Sequence, residues 1–273
     1  MILGAIIGDM IGVPYEFRQN RHKSKDFPLF NGSNRPSDDS VLTIANMSWL
    51  LGTDLKEAML KWCHKYPKAG YGGMFRRWLM DDNRHPYNSL GNGSAMRVSP
   101  VAWIANNLDE CLDLAKRSAE ITHNHAEGIK GAQATAAAIY MARIGSTKEE
   151  IKEYISKEFG YNLDRTLDEI RPTYHFDSTC QGSVPESIIC FLEGTSYEDT
   201  VRNAVSLGGD TDTQAAIAGS IAEAFYGIPQ NIINQAERYI PKDMMEVVKE
   251  FSEKVESSEE VIDKVDSNEQ PFY

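Results

Sequence analysis

Two short acidic motifs, far apart in the chain, contain the residue types best suited to chemistry. They are residues 37–40 (Ser-Asp-Asp-Ser) and residues 208–213 (Gly-Gly-Asp-Thr-Asp-Thr), and each lies where a predicted apolar helix begins. If folding brings them together, their carboxylates and hydroxyls form a negative pocket of oxygen atoms that needs protons or cations to neutralise it. The motifs therefore indicate a centre for magnesium or manganese.

Helix capping is the ordinary alternative for either motif. Ser, Thr and Asp before a helix accept hydrogen bonds from the first free backbone N–H groups, and one side chain is enough for one cap. Both motifs supply more acceptors than capping requires, so capping and metal binding both remain open from the residue types. The oxygen ligands favour magnesium or manganese, and the lack of a His/Cys cluster argues against zinc, copper or an iron–sulfur centre.

Composition predicts a single folded domain followed by an acidic tail. The chain has 273 residues, of which 41% are hydrophobic, enough for a full core. We assign residues 1–256 to one domain and residues 257–273 to a loosely held acidic tail, because apolar periodicity is weak there. A formal net charge of −12 disfavours nucleic acid as a general partner.

The cysteines and the N-terminus indicate a cytoplasmic protein. The four cysteines show no C-x-x-C spacing, which predicts free thiols in a reducing compartment rather than a disulfide framework or a zinc site. The apolar run of residues 1–11 lacks a basic flank and is shorter than the roughly 20 residues that span a bilayer. We therefore expect neither a targeting signal nor a membrane span.

Helical periodicity dominates the chain and predicts an all-α fold, a compact orthogonal multi-helix bundle. Beyond the N-terminal helix, we expect helices at residues 39–52, 54–65, 70–80, 95–106, 109–121, 125–144, 147–159, 181–193, 197–206, 212–226, 230–238 and 241–255.

The first helix has a specific packing pattern. Gly4, Gly8 and Gly12 recur every four residues, which predicts a smooth stripe where another helix approaches closely, and Pro14 is expected to end the helix. Asp9 lies inside this apolar helix, so we expect it to face polar groups near the site. Residues 18–36 are expected to form a mobile loop able to cover a pocket.

With these motifs in view, the chain resembles the ADP-ribosylglycohydrolase family. The similarity occurs in the family's order over five segments and extends to about Pro229; the segments are residues 4–16, 37–40, 91–97, 122–123 and 208–213. The resemblance implies an all-helical fold with two magnesium or manganese ions in a central cleft. It also implies hydrolysis of the bond between ADP-ribose and an acceptor, so ADP-ribose or an ADP-ribosylated protein is the implied partner.

The resemblance also implies residue roles. Asp39 and Glu16 are assigned to catalysis, Glu16 as the acid placed over the scissile bond. Metal ligation is assigned to Ser37, Asp38, Asp39, Asp210, Asp212 and Thr213, with Asp210 the weakest match to a direct ligand. Substrate binding is assigned to Gly91, Asn92, Gly93, Ser94 and His123.

Other positions leave alternatives open or depart from the family pattern. Arg97 either donates to a pyrophosphate or pairs with a buried carboxylate. Ser37 and Ser40 stand where the family more often has threonine, an exchange that keeps the hydroxyl oxygen. Glu223 replaces a small residue and is expected to alter helix packing or to contact another subunit.

The function predicted from the sequence is removal of ADP-ribose from a modified acceptor, with arginine favoured over serine or O-acetyl-ADP-ribose. One alternative is hydrolysis of another ribosyl compound. The other is a non-catalytic ADP-ribose-binding or crystallin-like structural protein, which retention of all the acids disfavours. The acceptor, the preferred ion, the oligomeric state and the cellular pathway are left open.

Overall fold

The computed structural model describes residues 1–16 and 22–268, with side chains described up to residue 258. The described residues form fifteen helices and no strand, which confirms the all-α prediction. In chain order they are α1 (Gly4–Glu16), α2 (Asp38–Leu50), α3 (Leu55–Lys65), α4 (Gly73–Met80), α5 (Gly93–Met96), α6 (Ser99–Ile104), α7 (Leu108–Glu120), α8 (Ala126–Arg143), α9 (Lys148–Phe159), α10 (Leu167–Ile170), α11 (Cys180–Glu193), α12 (Tyr197–Ser206), α13 (Thr211–Tyr226), α14 (Gln230–Ala236) and α15 (Lys242–Asn268).

Helices α1 and α13 pack against each other through the predicted glycine stripe. A Cβ atom added to Gly8 would lie 2.1 Å from the carbonyl oxygen of Ala215, and one added to Gly12 would lie 2.4 Å from the Cα of Asp212. Real Cβ atoms do not approach backbone this closely, so only glycine permits the contact. The stripe therefore sets how close α1 comes to the helix that carries the second acidic motif.

The prediction that Pro14 ends the first helix is wrong, because α1 continues to Glu16. A proline has no N–H to donate to the carbonyl four residues earlier, here that of Met10. The side-chain amide of Asn34 donates to this carbonyl instead, at 2.8 Å. This replacement bond lets the helix continue and keeps Glu16 on its last turn.

Two other helix predictions differ from the structure. The single helix expected at 95–106 is two helices, α5 and α6, separated just before Pro100, whose ring is tolerated in the first turn of a helix but not in its interior. The last helix runs beyond residue 255 to Asn268, so 257–268 of the predicted tail is helical and 269–273 lie outside the described residues. The division into a domain and a tail stays a prediction.

The predicted mobile loop is docked where the structure describes it, over residues 22–36. Lys23 Nζ donates to the carbonyls of Tyr174 and Leu207, at 2.6 and 2.5 Å, and Phe27 is buried in the core. Arg202 Nη1 donates to the carbonyl of Phe27 at 2.7 Å. These contacts hold the segment to the protein body, while 18–21 of the prediction lie outside the described residues.

Glu223 has a function within the chain. Its two carboxylate oxygens accept hydrogen bonds from the backbone N–H groups of Leu3 and Gly4, both at 2.8 Å. Because the N-terminal end of a helix has free donors and a positive dipole, a buried carboxylate is well matched there. The departure at this position therefore caps α1 and fastens it to α13.

The cysteines and the helix lengths complete the fold. Cys63, Cys111, Cys180 and Cys190 are buried free thiols, as the sequence predicts. Among the described residues, no helix combines the length and apolarity needed to cross a membrane.

Candidate active site

Four helix ends meet at a cleft of about 370 Å³. The C-terminal end of α1 and the N-terminal ends of α2, α5 and α13 each bring part of a sequence motif to it. The predicted site residues that line the cleft are Glu16, Asp38, Asp39, Gly91, Asn92, Gly93, His123, Asp210, Asp212 and Thr213. Ser37 and Ser94 are predicted site residues that do not line it.

Three acids from the two ends of the sequence form a cluster on the cleft wall. One carboxylate oxygen from each of Glu16, Asp210 and Asp212 lies within 4.8 Å of the others. Burial and the neighbouring Asp210 charge raise the pKa of Glu16 to about 7. Burial, and then the charges of Asp39 and Asp210, raise the pKa of Asp212 well above its usual range. A cation placed here would relieve the repulsion that these shifts express.

The first acidic motif supplies a second group of carboxylates beside this cluster. Asp39 is buried, its Oδ2 has no hydrogen-bond partner among the described residues, and burial together with the Asp9 charge raises its pKa well above the usual value. Burial, followed by Asp9, raises the pKa of half-buried Asp38 to about 7. An orphaned buried oxygen among hard oxygen donors fits a magnesium or manganese ion.

Asp9 is the anchor of the first motif. Its Oδ2 accepts hydrogen bonds from the backbone N–H groups of Ser37 and Ser40, at 2.9 and 3.1 Å, and from the Ser40 hydroxyl. Asp9 therefore faces polar groups at the site, as predicted. The Ser37 hydroxyl accepts from Asp39 N at 3.1 Å, which makes it the N-cap of α2.

The second motif depends on a turn that only glycine readily forms. Gly208 and Gly209 have φ values of +72° and +82°, in the left-handed region, and a Cβ on Gly209 would lie 3.1 Å from the Cα of Phe176. The Gln214 amide nitrogen, in the orientation that satisfies its neighbours, donates to the carbonyls of Gly208 and Asp210 at 2.8 and 2.9 Å. Sequence reasoning missed Gln214, because a glutamine inside a helix carries no local signal.

The loop at residues 91–94 supports the acids as well as lining the cleft. Asn92 Nδ2 donates to Asp210 Oδ2 at 2.7 Å and to the Ser183 hydroxyl at 3.2 Å. The Ser94 hydroxyl donates to the Gly128 carbonyl at 2.7 Å, below the cleft surface. Both side chains thus have partners within the protein, and their assignment to substrate binding stays a prediction.

Arg97 and His123 form a buried basic pair on the wall of the cleft. Arg97 Nη2 donates to the Ser118 carbonyl and to the Thr122 hydroxyl, at 2.7 and 2.9 Å, while His123 Nδ1 lies 2.7 Å from the same hydroxyl. Arg97 forms no ion pair with a carboxylate among the described residues, so the structure does not support the carboxylate-pairing alternative. Its Nε and Nη1 atoms are buried and have no partner in the part of the chain that the structure describes.

Several residues that line the cleft carry no motif. They include Gly70, Met74, Phe75, Tyr87 and Phe176. Met74 and Phe176 are each 46% exposed, an unusual degree for large apolar side chains beside a polar pocket. Exposure of this kind depends on the fold, so residue type and spacing alone did not identify them.

Comparisons with known proteins identify the family. The ADP-ribosylglycohydrolase family model matches residues 1–261. The human ADP-ribosylhydrolase ARH3 is 26% identical, over 89% of this chain and 90% of its own length. The ADP-ribosylarginine hydrolase Tri1 of Pseudomonas putida is 23% identical, over 83% of this chain and 70% of its own.

A solved structure shows the same fold. A chain of an ADP-ribosylglycohydrolase-related protein complex superposes with a TM-score of 0.68 at 22% identity, covering 93% of this chain and 97% of that one. The protein is all-helical in its described residues, and its acidic cleft lies where helix ends meet. The chain belongs to the ADP-ribosylglycohydrolase family, whose members are enzymes that hydrolyse ADP-ribose linkages.

Proposed function

We propose that this protein is a metal-dependent hydrolase that cleaves the glycosidic bond between ADP-ribose and a modified protein side chain, with arginine the favoured acceptor. The acidic cluster of Glu16, Asp210 and Asp212 carries the proposal, because it joins three carboxylates from both ends of the chain in one cleft. The names of the similar proteins support an ADP-ribosyl substrate, and that of Tri1 supports arginine.

Two divalent cations, magnesium or manganese, fit this donor set. The residues that would hold them are Ser37, Asp38, Asp39, Asp210, Asp212 and Thr213. Bound cations would supply a Lewis acid that orients the ribose hydroxyls and stabilises negative charge as the bond breaks. The buried Asp39 Oδ2, which has no partner in the described part of the chain, also supports a cation here.

Glu16 is the proposed general base. Hydrolysis breaks the bond between ribose C1 and the acceptor and forms a bond from C1 to a water oxygen, while positive charge develops at C1. A carboxylate at Glu16 stabilises that charge and takes the proton that the water loses, which passes on to the departing acceptor.

The substrate is ADP-ribose or an ADP-ribosylated protein, and the net charge of −12 argues against general binding to nucleic acid. The four buried free thiols support a reducing cytoplasmic location.

A substrate panel tests this function. The protein is incubated with arginine-ADP-ribosylated protein, serine-ADP-ribosylated protein and O-acetyl-ADP-ribose, each with Mg²⁺, Mn²⁺ or EDTA, and released ADP-ribose is measured. We expect release only with a divalent cation, fastest from the arginine substrate. A lack of release from every substrate with either ion rejects the activity, and equal release in EDTA rejects the metal dependence.

A further inference from the structure

The histidine on the cleft wall is held by a chain of hydrogen bonds that begins at a buried cation. Arg97 is completely buried, and its Nη2 donates to Thr122 Oγ1 at 2.9 Å. The same oxygen lies 2.7 Å from Nδ1 of His123, which is 6% exposed. Three consecutive groups therefore connect a fixed positive charge to the cleft.

The Arg97 charge and the single Thr122 proton favour one arrangement of protons. A guanidinium only donates, so it occupies a lone pair of the Thr122 hydroxyl, which has a single proton to give. Arg97 Nη2 and His123 Nδ1 lie 2.9 and 2.7 Å from the same hydroxyl oxygen, so the positive charge is on the Nδ1 side of the ring. A lone pair at Nδ1 that accepts the Thr122 proton faces this charge favourably, whereas an N–H there would point its positive end toward the cation.

The other ring nitrogen of His123 faces the loop that lines the cleft. A Cβ atom built on Gly93 would lie 3.0 Å from His123 Nε2, and one on Gly91 would lie 3.6 Å from it. Nε2 has no hydrogen-bond partner among the described residues, although Nδ1 has one. The absence of side chains at both glycines leaves the approach to Nε2 open.

We propose that Arg97 and Thr122 are positioning residues that hold His123 as a neutral imidazole with its proton on Nε2, aimed at an oxygen of the bound ligand. The ligand in this statement rests on the proposed function and is ADP-ribose, which offers pyrophosphate and hydroxyl oxygens. With its proton on Nε2, His123 presents an N–H donor to the cleft. A donor suits this position, because both the acids of the cleft and the oxygens of the ligand are hydrogen-bond acceptors.

The electrostatic surroundings agree with a neutral ring. Burial, and then the Arg97 charge, lower the pKa of His123 well below its usual value. The ring therefore does not take up a second proton at neutral pH, and the hydrogen bond at Nδ1 decides which nitrogen carries the proton.

Nuclear magnetic resonance of the metal-free protein tests the tautomer. The protein is labelled with ¹⁵N-histidine, long-range ¹⁵N–¹H correlations are recorded from pH 5.5 to 8, and the His123 signals are assigned by their loss in His123→Gln. We expect a bare Nδ1 and a protonated Nε2 that do not change over this range. A proton on Nδ1, or titration to the cation, overturns the proposal.

Two variants at one position test the positioning role. Thr122→Val keeps the shape but removes the hydroxyl, so we expect a mixture of His123 tautomers and about tenfold weaker binding of ADP-ribose by calorimetry. Thr122→Ser retains the hydroxyl and is expected to preserve the wild-type tautomer and affinity. If Thr122→Val leaves the His123 spectrum unchanged, the relay is wrong.

These measurements distinguish failure of the proposed His123 positioning from failure of the proposed function, on which the identity of the ligand rests. The spectrum of the wild-type protein needs neither ligand nor turnover, so it decides the tautomer even if Thr122→Val does not fold. The expected tautomer in a protein that does not bind ADP-ribose rejects the proposed function but retains the relay. Binding of ADP-ribose by a protein with the opposite tautomer rejects the relay alone.

Discussion

Each end of the α1–α13 pair contains a glutamate whose pKa is raised to about 7, but the two glutamates have different roles. At one end Glu223 is buried, and both of its oxygens accept backbone hydrogen bonds from the start of α1. At the other end Glu16 faces Asp210 and Asp212. The same shift therefore accompanies a structural cap and a proposed catalytic base, so a raised pKa alone does not identify a site.

What distinguishes the two carboxylates is the kind of neighbour each has. Glu223 has two donors and the positive end of a helix, which offset part of the cost of burying its charge, although burial still raises its pKa. Glu16 has like charges, which only protons or an added cation can balance. The second arrangement is unfavourable for an isolated protein, and we interpret it as a site prepared for a cation and substrate.

The largest expected effect separates the two ends by activity. Asp212→Asn removes a charge from the acidic cluster, and we expect kcat/KM on the arginine-ADP-ribosylated substrate to fall about a thousandfold because a proposed cation ligand is lost. Thermal stability in EDTA should be unchanged or higher, since a mutually repelling charge is gone. Steady-state kinetics and thermal unfolding measure the two quantities.

Glu223→Gln is the matched control, since it neutralises the acid at the other end of α1. Twelve residues of helix separate Gly4 from Glu16, about 18 Å, so we expect the folded variant to keep wild-type kcat/KM. Two results would contradict the contrast between the two ends of α1. One is a kcat/KM of Asp212→Asn within tenfold of wild type, and the other is a thousandfold loss of kcat/KM in folded Glu223→Gln.

A second prediction concerns the contact that joins the two ends. Gly8→Ala places a methyl group 2.1 Å from the Ala215 carbonyl oxygen, and neither backbone can move away without separating α1 from α13. We expect a loss of about 3 kcal/mol in the free energy of unfolding, measured by denaturant titration. Activity should also fall, because α1 carries Glu16.

Gly32→Ala is the control for that substitution, because a Cβ there would have no atom of a described residue within 4 Å. Its free energy of unfolding should remain within about 0.5 kcal/mol of wild type. Equal stability of Gly8→Ala and Gly32→Ala would show that the helices are not held together by close backbone contact.

Local patterns in the sequence predicted most of this architecture. Helix α9 begins after Thr147, whose hydroxyl and Glu150 form a capping box, and the predicted range of 147–159 differs from Lys148–Phe159 by one residue. Caps, turns and apolar periodicity act over a few residues, so the chain displays them directly. The glycine stripe of α1 was visible for the same reason.

Features that depend on distant contacts could not be predicted in this way. Continuation of α1 past Pro14 requires Asn34, twenty positions further along the chain, to reach the Met10 carbonyl. The turn before Asp210 is held by Gln214, and Phe176 lies at the cleft on a segment whose backbone packs against Gly209. Such residues have ordinary neighbours in sequence, and only the fold places them at the site.

The smallest expected effect separates the two glutamates by the pH dependence of stability. The pKa of Glu223 is about 7 in the folded protein and near 4.5 when unfolded, so between these values the folded state binds more protons. The free energy of unfolding contributed by this group is therefore complete below about pH 4.5 and is lost as the pH rises through 7. Glu223→Gln lacks this titrating proton. The cleft acids titrate in both proteins, so their contribution cancels in the difference between the two unfolding free energies.

We therefore expect the difference in unfolding free energy between wild type and Glu223→Gln to fall by about 2 kcal/mol from pH 5 to pH 8. Denaturant titrations in EDTA at several pH values measure it, and Glu250→Gln, at an exposed position on α15, is the matched control. Parallel curves for wild type and Glu223→Gln would mean that the cap is satisfied equally in both protonation states. In that case the two ends of α1 differ in their neighbours but not in how their acids couple to folding.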